Sequence, residues 1–145
     1  MRLTSPAFQP NASIPSTYTC DGNDMSPPLL FSDVPAEAKS LVLIADDPDV
    51  PSGIWVHWVV WNINPKTTEA SEGMVPGAGI EGITSFGRRG YGGPCPPSGT
   101  HRYVFKLYAL DTLLDLPEKA SKLDVEGAMD GHVIDSAELI GVYER

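Results

Sequence analysis

The segment from Gly93 to Tyr108 has the sequence GPCPPSGTHRYVFKLY and is the most informative part of the chain. Its first half holds three prolines and two glycines, which favour turns with few free backbone donors. Its second half alternates, with Tyr103, Phe105 and Leu107 on one parity, as in a β-strand. His101 and Tyr103 share a face at the start of that strand, because residues i and i+2 point the same way. The segment therefore predicts a rigid loop that leads into a strand with two polar side chains at its start.

A second loop, with the sequence DDPDVP, precedes the strand that contains His57. Its prolines fix φ and stiffen the backbone that presents Asp47 and Asp49, which are two residues apart. In a regular strand, His57 shares a face with Trp55 and Val59. Each of these two loops leads into a strand that carries a histidine, and we call each such place a loop–strand junction. If the two strands are neighbours, His57 and His101 line one cavity and Trp55 forms a wall of it.

Apolar runs separated by glycine and proline, of which the chain has 14 each, predict an all-β fold. Ser40 to Ala45 predicts a buried strand, and Ala137 to Glu144 predicts a closing strand. Trp55 to Ile63 is apolar on both parities, which predicts a strand covered on both faces. Residues 64–92 are rich in glycine and predict a long loop, a feature that is often functional in a compact domain.

One short helix is predicted near the end of the chain. Ser121 and Asp124 resemble a capping box, apolar residues follow at helical spacing, and Gly131 provides a stop. The sequence has no internal repeat and no linker. We therefore expect a single domain, 1–145, folded as a two-sheet antiparallel β-sandwich with one short helix near the C-terminus.

The charge and the apolar runs limit the classes of partner. Ten Lys and Arg against nineteen Asp and Glu give a formal net charge of −9, which argues against nucleic acid as a partner. No apolar run reaches the roughly 20 residues of a membrane span. The N-terminus has no signal-peptide pattern, which predicts a cytoplasmic protein.

The two cysteines, Cys20 and Cys95, permit one disulfide. A cytoplasmic location instead favours two reduced thiols. Neither cysteine has the short paired spacing of a zinc site. The sequence therefore predicts no cofactor and no metal.

The two junctions together resemble the phosphatidylethanolamine-binding protein (PEBP) family, and most of all its compact bacterial and archaeal branch, often labelled Raf-kinase-inhibitor-like. The motifs that carry the resemblance are DPDVP at 47–51, the Trp55-x-His57 strand, GPCPP at 93–97 and HRY at 101–103. The segments YTCDGNDMSPP at 18–28 and AMDGHV at 128–133 also fit that branch. One departure is TSFG at 84–87, where the branch commonly has Asn-Asp-Phe-Gly.

The resemblance implies Greek-key connections and a small anion-binding pocket at one end of the sandwich. The implied ligand-binding residues are Asp47, Asp49, Trp55, His57, Gly93, Cys95, His101 and Tyr103. In the family the pocket accepts phosphate, phosphoethanolamine or carboxylate groups. Family members that modulate kinase cascades or inhibit proteases imply a kinase or protease as protein partner, and the bacterial members imply a homodimer.

The residue types of the implied pocket suit an anion, since imidazole and phenol groups supply hydrogen-bond donors. Asp47 would repel an anion that faced it directly. We therefore expect it to act through a histidine, or to bind an amine or a protonated phosphate oxygen. Phosphate affinity should rise as pH falls from about 8 to 6, because an ordinary histidine titrates near 6.5.

Two other functions use the same residues. Asp47 with His57 or His101 could form the acid–base pair of a small hydrolase, and these residues with Asp49 could hold a metal ion. No serine or cysteine lies in a recognised nucleophile motif. The sequence therefore predicts a non-catalytic binding protein, with a small hydrolase or metal-binding enzyme as the alternative.

Overall fold

The computed structural model describes every residue from Met1 to Arg145, and most of them form two antiparallel sheets. In chain order the strands are β1 (Arg2–Thr4), β2 (Leu29–Ser32), β3 (Ser40–Val50), β4 (Gly53–Ile63), β5 (Glu69–Ala70), β6 (Ile80–Glu81), β7 (Thr100–Leu110) and β8 (Val133–Glu144). The larger sheet has the order β6-β4-β3-β7-β8, and the smaller has the order β1-β2-β5. The run β7-β3-β4-β6 has the strand order of a Greek key, with β7 returning to lie beside β3, although the chain passes through β5 of the smaller sheet between β4 and β6. The predicted two-sheet antiparallel fold is confirmed.

The main core lies between the two sheets. Leu29 and Phe31 of β2 pack there against Leu43 of β3 and Phe105 of β7. A second apolar cluster lies on the outer face of the larger sheet, where Trp61 and its neighbours are covered by the only α-helix. The two clusters explain why β4 is apolar on both parities, because both of its faces are covered.

The helix α1 (Lys122–Met129) confirms the predicted short helix. Ser121 and Asp124 form the predicted capping box, in which each side chain bonds the other residue's backbone N–H. Lys122 Nζ donates to the buried carboxylate of Asp46 on β3 at 2.8 Å, which fastens the start of the helix to the sheet. No helix in the structure has the length and apolar character needed to cross a membrane.

Strand β4 contains a bulge at His57. Ala45 of β3 pairs with Trp58 and the next residue, Asp46, pairs with Val56, so His57 is an extra residue without a partner on β3. A bulge interrupts the alternation of side chains along a strand and re-aims the residues beside it.

The bulge corrects one prediction. His57 shares a face with Trp55, as predicted, and both line the same cavity. The prediction that Val59 shares this face is wrong, since Val59 packs in the outer cluster under the helix. The extra residue inverts the parity between the two halves of the strand.

Candidate functional site

A cavity of about 340 Å³ lies at one end of the larger sheet, where β3 ends and where β4 and β7 begin. Six of the eight predicted site residues line it, namely Asp47, Trp55, His57, Cys95, His101 and Tyr103. The other lining residues are Val50, Phe86, Pro96 and Pro97. The two loop–strand junctions therefore meet at one cavity, because β3 pairs with both β4 and β7.

Asp47 and His101 form a buried pair in this cavity. His101 Nδ1 donates to Asp47 Oδ2 at 2.6 Å, and the two side chains are only 3% and 10% exposed. The other carboxylate oxygen, Oδ1, accepts the backbone N–H of Asp49 at 2.7 Å. Both oxygens of Asp47 are thus engaged within the protein. The carboxylate fixes the tautomer of His101 and leaves Nε2 as the ring nitrogen available to a ligand.

His57 is held in a similar way by a backbone carbonyl. Its Nδ1 lies 2.6 Å from Gly92 O, and because a carbonyl only accepts, this nitrogen carries the proton. Burial lowers the pKa of His57 below its ordinary value of 6.5, against the opposing effect of the bond to Gly92. The ring is therefore neutral near pH 7, and its Nε2 presents a lone pair.

No group meets hydrogen-bond geometry with the buried Tyr103 hydroxyl, although the Asp47 carboxylate and the Cys95 backbone lie near enough to affect its pKa. The residue is 2% exposed. Burial, together with the nearby Asp47 carboxylate, raises the pKa of Tyr103 well above its usual value of 10. Tyr103 is therefore a neutral phenol that can donate to a ligand at any ordinary pH.

Phe86 forms an aromatic wall of the cavity and is not among the predicted site residues. Its ring contacts Trp55 and His57 edge to face, with centroids 5.5 and 5.3 Å apart. Gly92 makes room for this ring, because a Cβ atom at that position would collide with Phe86. Phe86 lies in the TSFG segment, and its place in the family's Asn-Asp-Phe-Gly motif is the one sequence signal for it.

Two predicted residues, Asp49 and Gly93, lie outside the cavity lining. The Asp49 carboxylate binds Arg102, accepting from its Nη2 at 2.8 Å and from its backbone N–H at 2.9 Å. The Gly93 N–H donates to Asp24 Oδ1 at 2.7 Å. Asp49 turns away because the β3–β4 hairpin is irregular between Asp47 and Val50. Both residues support the neighbouring loops instead.

The prediction of two reduced thiols is wrong for this structure. Cys20 and Cys95 form a disulfide, and no cysteine is free. The backbone N–H of Cys20 donates to Pro94 O at 3.1 Å, which brings the two loops side by side. The argument from cellular location failed because it says nothing about which loops meet in space.

The donors around the cavity do not converge as metal ligands. No group of three or more His, Cys, Asp or Glu side chains is placed to hold a metal ion. In particular, Asp49 pairs with Arg102 and the Asp47 oxygens are engaged by His101 and a backbone N–H.

Comparison with known proteins agrees with the fold and covers almost the whole chain. The family model described as phosphatidylethanolamine-binding protein matches residues 4–144. The UPF0098 protein of Methanothermobacter thermautotrophicus is 55% identical over 150 residues, which cover 100% of this chain and 99% of that protein. The crystal structure of a PEBP homologue from Chlamydia trachomatis superposes with a TM-score of 0.95 at 48% identity, covering 99% and 97% of the two chains. E. coli YbcL, described as a member of the mammalian PEBP family, gives 0.92 at 31% identity, covering 99% and 98%. The chain therefore belongs to the phosphatidylethanolamine-binding protein family.

Proposed function

We propose that the chain is a non-catalytic binding protein whose cavity takes a small oxyanion, either free phosphate or the phosphate or carboxylate group of a larger molecule. The observation that carries the proposal is the buried Tyr103 hydroxyl, which has no partner in the protein and lines a cavity with two histidines. A buried polar group without a partner is costly, and a ligand oxygen would satisfy it.

The hydrogen-bonding groups define what such a ligand must offer. Tyr103 supplies a donor, while His57 and His101 each have Nδ1 engaged and present Nε2. A neutral Nε2 accepts a hydrogen bond, so the ligand brings a proton or an imidazole takes one up. Dihydrogen phosphate meets this requirement with its two O–H groups, and hydrogen phosphate, which has one O–H, meets it when one imidazole takes up a proton. In this arrangement Asp47 acts through His101, which is one of the two roles expected of it.

The shape of the cavity supports a ligand with a small organic substituent. Its volume of about 340 Å³ lies at the small end of ordinary ligand pockets, which run from about 300 to 1,000 Å³. The walls formed by Trp55, Phe86 and Pro97 are apolar, and they would contact carbon atoms attached to a bound phosphate. Phosphoethanolamine is a suitable probe of this arrangement.

Calorimetric titration with inorganic phosphate and with phosphoethanolamine tests the proposal. The variant His101→Ala should bind neither probe. The matched control is His132→Ala, since His132 is the exposed histidine that pairs with Asp111 at 2.8 Å, away from the cavity. Removal of His101 leaves the buried Asp47 carboxylate without its side-chain partner, so the melting temperature is recorded for both variants. Phosphate binding that survives in a folded His101→Ala protein would contradict the proposal.

The non-catalytic assignment rests on the state of the reactive groups. Cys95 is in a disulfide, both Asp47 oxygens are engaged, and no serine or threonine lines the cavity, so the imidazoles have no side-chain nucleophile to activate. Turnover of p-nitrophenyl phosphate or acetate that His101→Ala abolishes would instead support the hydrolase alternative.

The remaining predictions concern the protein partner, the oligomeric state and the cellular location. A kinase or protease whose phosphorylated or anionic groups enter the cavity stays the predicted class of protein partner, and the homodimer and the cytoplasmic location stay predictions. The solution mass tests the homodimer. The exposed disulfide favours an oxidising compartment over the cytoplasm, because such bonds persist chiefly in oxidising compartments.

A further inference from the structure

The Cys20–Cys95 disulfide lies at the cavity and is open to solvent. Cys95 is one of the lining residues, and both cysteines are exposed. Thiol–disulfide exchange requires that a thiolate reach one of the two sulfur atoms, so an exposed bond is the kind that can exchange in a folded protein.

The cavity wall next to Cys95 has few attachments other than this bond. Pro94, Pro96 and Pro97 have no backbone N–H, and residues 95–98 make no hydrogen bond to another backbone group. On one side of this stretch, Pro94 O accepts from Cys20 at 3.1 Å. On the other side, Gly99 exchanges backbone hydrogen bonds with Arg145 at 3.0 and 3.2 Å. Between these two points, the disulfide is the link that fixes the wall to the loop carrying Cys20.

A guanidinium group lies against both sulfur atoms. Arg145 Nη1 is 3.2 Å from Cys95 Sγ and 3.7 Å from Cys20 Sγ. A neighbouring cation stabilises a thiolate, and a more stable thiolate leaves faster in exchange. The shorter distance makes Cys95 the preferred leaving group.

We propose that Cys20–Cys95 is an exchangeable redox site, and that its reduction by a dithiol releases the Pro94–Pro97 wall and weakens oxyanion binding. The first half stands on the exposure of the bond and the position of Arg145. The second half rests on the proposed function of the cavity.

The reaction is a two-electron exchange with a dithiol reductant. One thiolate of the reductant attacks Cys20 Sγ, the bond between the two cysteines breaks, and Cys95 leaves as a thiolate beside Arg145. The second thiol of the reductant then attacks the other reductant sulfur, which is bonded to Cys20 in the mixed disulfide, and Cys20 is released. The reductant ends as a disulfide and the protein as two thiols, so electrons and protons balance.

The test compares three forms of the full chain: oxidised wild type, wild type treated with dithiothreitol, and Cys20→Ser. Maleimide labelling counts the thiols, and calorimetry measures inorganic phosphate binding. We expect dithiothreitol to release two thiols from the folded wild-type protein. The reduced protein should bind phosphate about tenfold more weakly than the oxidised protein, because the wall is no longer pre-organised. Cys20→Ser should match the reduced protein with or without dithiothreitol. Arg145→Gln should form the disulfide, and dithiothreitol should reduce that bond more slowly than in wild type.

Each possible result decides one part of the proposal. A disulfide that resists dithiothreitol until the protein unfolds would overturn the exchange. Two free thiols with unchanged phosphate affinity would overturn the role of the wall. If the oxidised protein binds no phosphate, the proposed function fails, and amide hydrogen exchange at Cys20 and Gly99 still tests the wall: faster exchange on reduction supports its release, and equal exchange contradicts it.

Discussion

Asp47 and His101 are 54 residues apart in sequence, and their side chains meet through a 2.6 Å hydrogen bond in a buried setting. The pair joins the end of β3 to the start of β7 and orients the imidazole toward the cavity. Each partner satisfies a buried polar group of the other. The pair therefore serves the stability of the fold and the geometry of the site together.

Replacing Asp47 by Asn should weaken phosphate binding. The substitution keeps the size of the side chain and removes the charge that fixes the His101 tautomer. A hydrogen bond to a charged group contributes about 1.5–3 kcal/mol, so we expect a loss of about tenfold to a hundredfold in affinity by calorimetry. Asp49→Asn is the matched control, since this carboxylate pairs with Arg102 outside the lining. Equal affinity of Asp47→Asn and wild type would show that His101 does not need the carboxylate.

The stability of the protein should fall on mild acidification because of His57. Burial lowers the pKa of His57 below 6.5, so the unfolded chain binds this proton at a higher pH than the folded chain. The contribution of the neutral ring is complete above about pH 6.5 and is lost as pH falls through the lower folded value. Melting temperatures recorded between pH 8 and 5 should show this loss.

The variant His57→Asn isolates that effect. Asn places an N–H near the position of Nδ1 and can still donate to Gly92 O, but it does not titrate. We expect its melting temperature to depend less on pH than that of wild type over the same range. Parallel curves for the two proteins would mean that His57 does not titrate differently in the folded and unfolded states.

The cavity should distinguish phosphate from sulfate at pH 8. Sulfate carries no proton near neutral pH, and His57 and His101 present lone pairs when they are neutral. Hydrogen phosphate brings one proton and sulfate brings none, so sulfate should bind with one more proton taken up by the imidazoles than phosphate does. The affinity for sulfate relative to that for hydrogen phosphate should therefore rise by about tenfold for each pH unit lowered. Equal, pH-independent affinities for the two anions would rule out this account of the hydrogen bonds.

Gly92→Ala should damage the site through Phe86. The new Cβ atom would collide with the aromatic ring, so the wall beside His57 must move. We expect weaker phosphate binding and a lower melting temperature. Gly127→Ala is the matched control, because this helical glycine is exposed with open space around it and Ala is favoured in a helix by about 1 kcal/mol. The control should melt at a higher temperature and bind normally; equal behaviour of the two variants would contradict the packing argument.

Cys20→Ser should lower the stability of the protein substantially. The disulfide closes a loop with a sequence separation of 75 residues, for which loop entropy predicts a loss of about 4 kcal/mol in the free energy of unfolding. Urea denaturation of the variant and of oxidised and reduced wild type provides the comparison. A variant as stable as the oxidised protein would show that other contacts hold the two loops together.

Strand parity predicted β7 well and β4 only in part. The alternation from Tyr103 to Leu107 is uninterrupted, so the shared face of His101 and Tyr103 followed directly from the sequence. In β4 both faces are covered, so apolar residues occupy both parities of the strand. The hydrophobic pattern of β4 therefore does not show the bulge at His57, and it predicts the wrong face for Val59.

The parts that the sequence did not predict lack periodicity. Strands β1, β2 and β5 have 3, 4 and 2 residues, which are too few to show an alternation. Phe86 lies in an irregular loop and reaches the cavity only because the loop folds back over β4. The pairing of Cys20 with Cys95 depends on contacts between two such loops. In each case tertiary contacts decide the outcome, and no local pattern encodes them.

A nuclear magnetic resonance titration tests directly whether His57 and His101 bind an oxyanion through Nε2. The chain has three histidines, so the ring signals in a ¹H–¹⁵N spectrum can be assigned with His57→Asn and His101→Asn, and His132 serves as an internal reference. Titration with inorganic phosphate should shift the Nε2 signals of His57 and His101 and leave those of His132 unchanged. If neither cavity histidine shifts at phosphate concentrations that saturate any calorimetric binding, the account is contradicted.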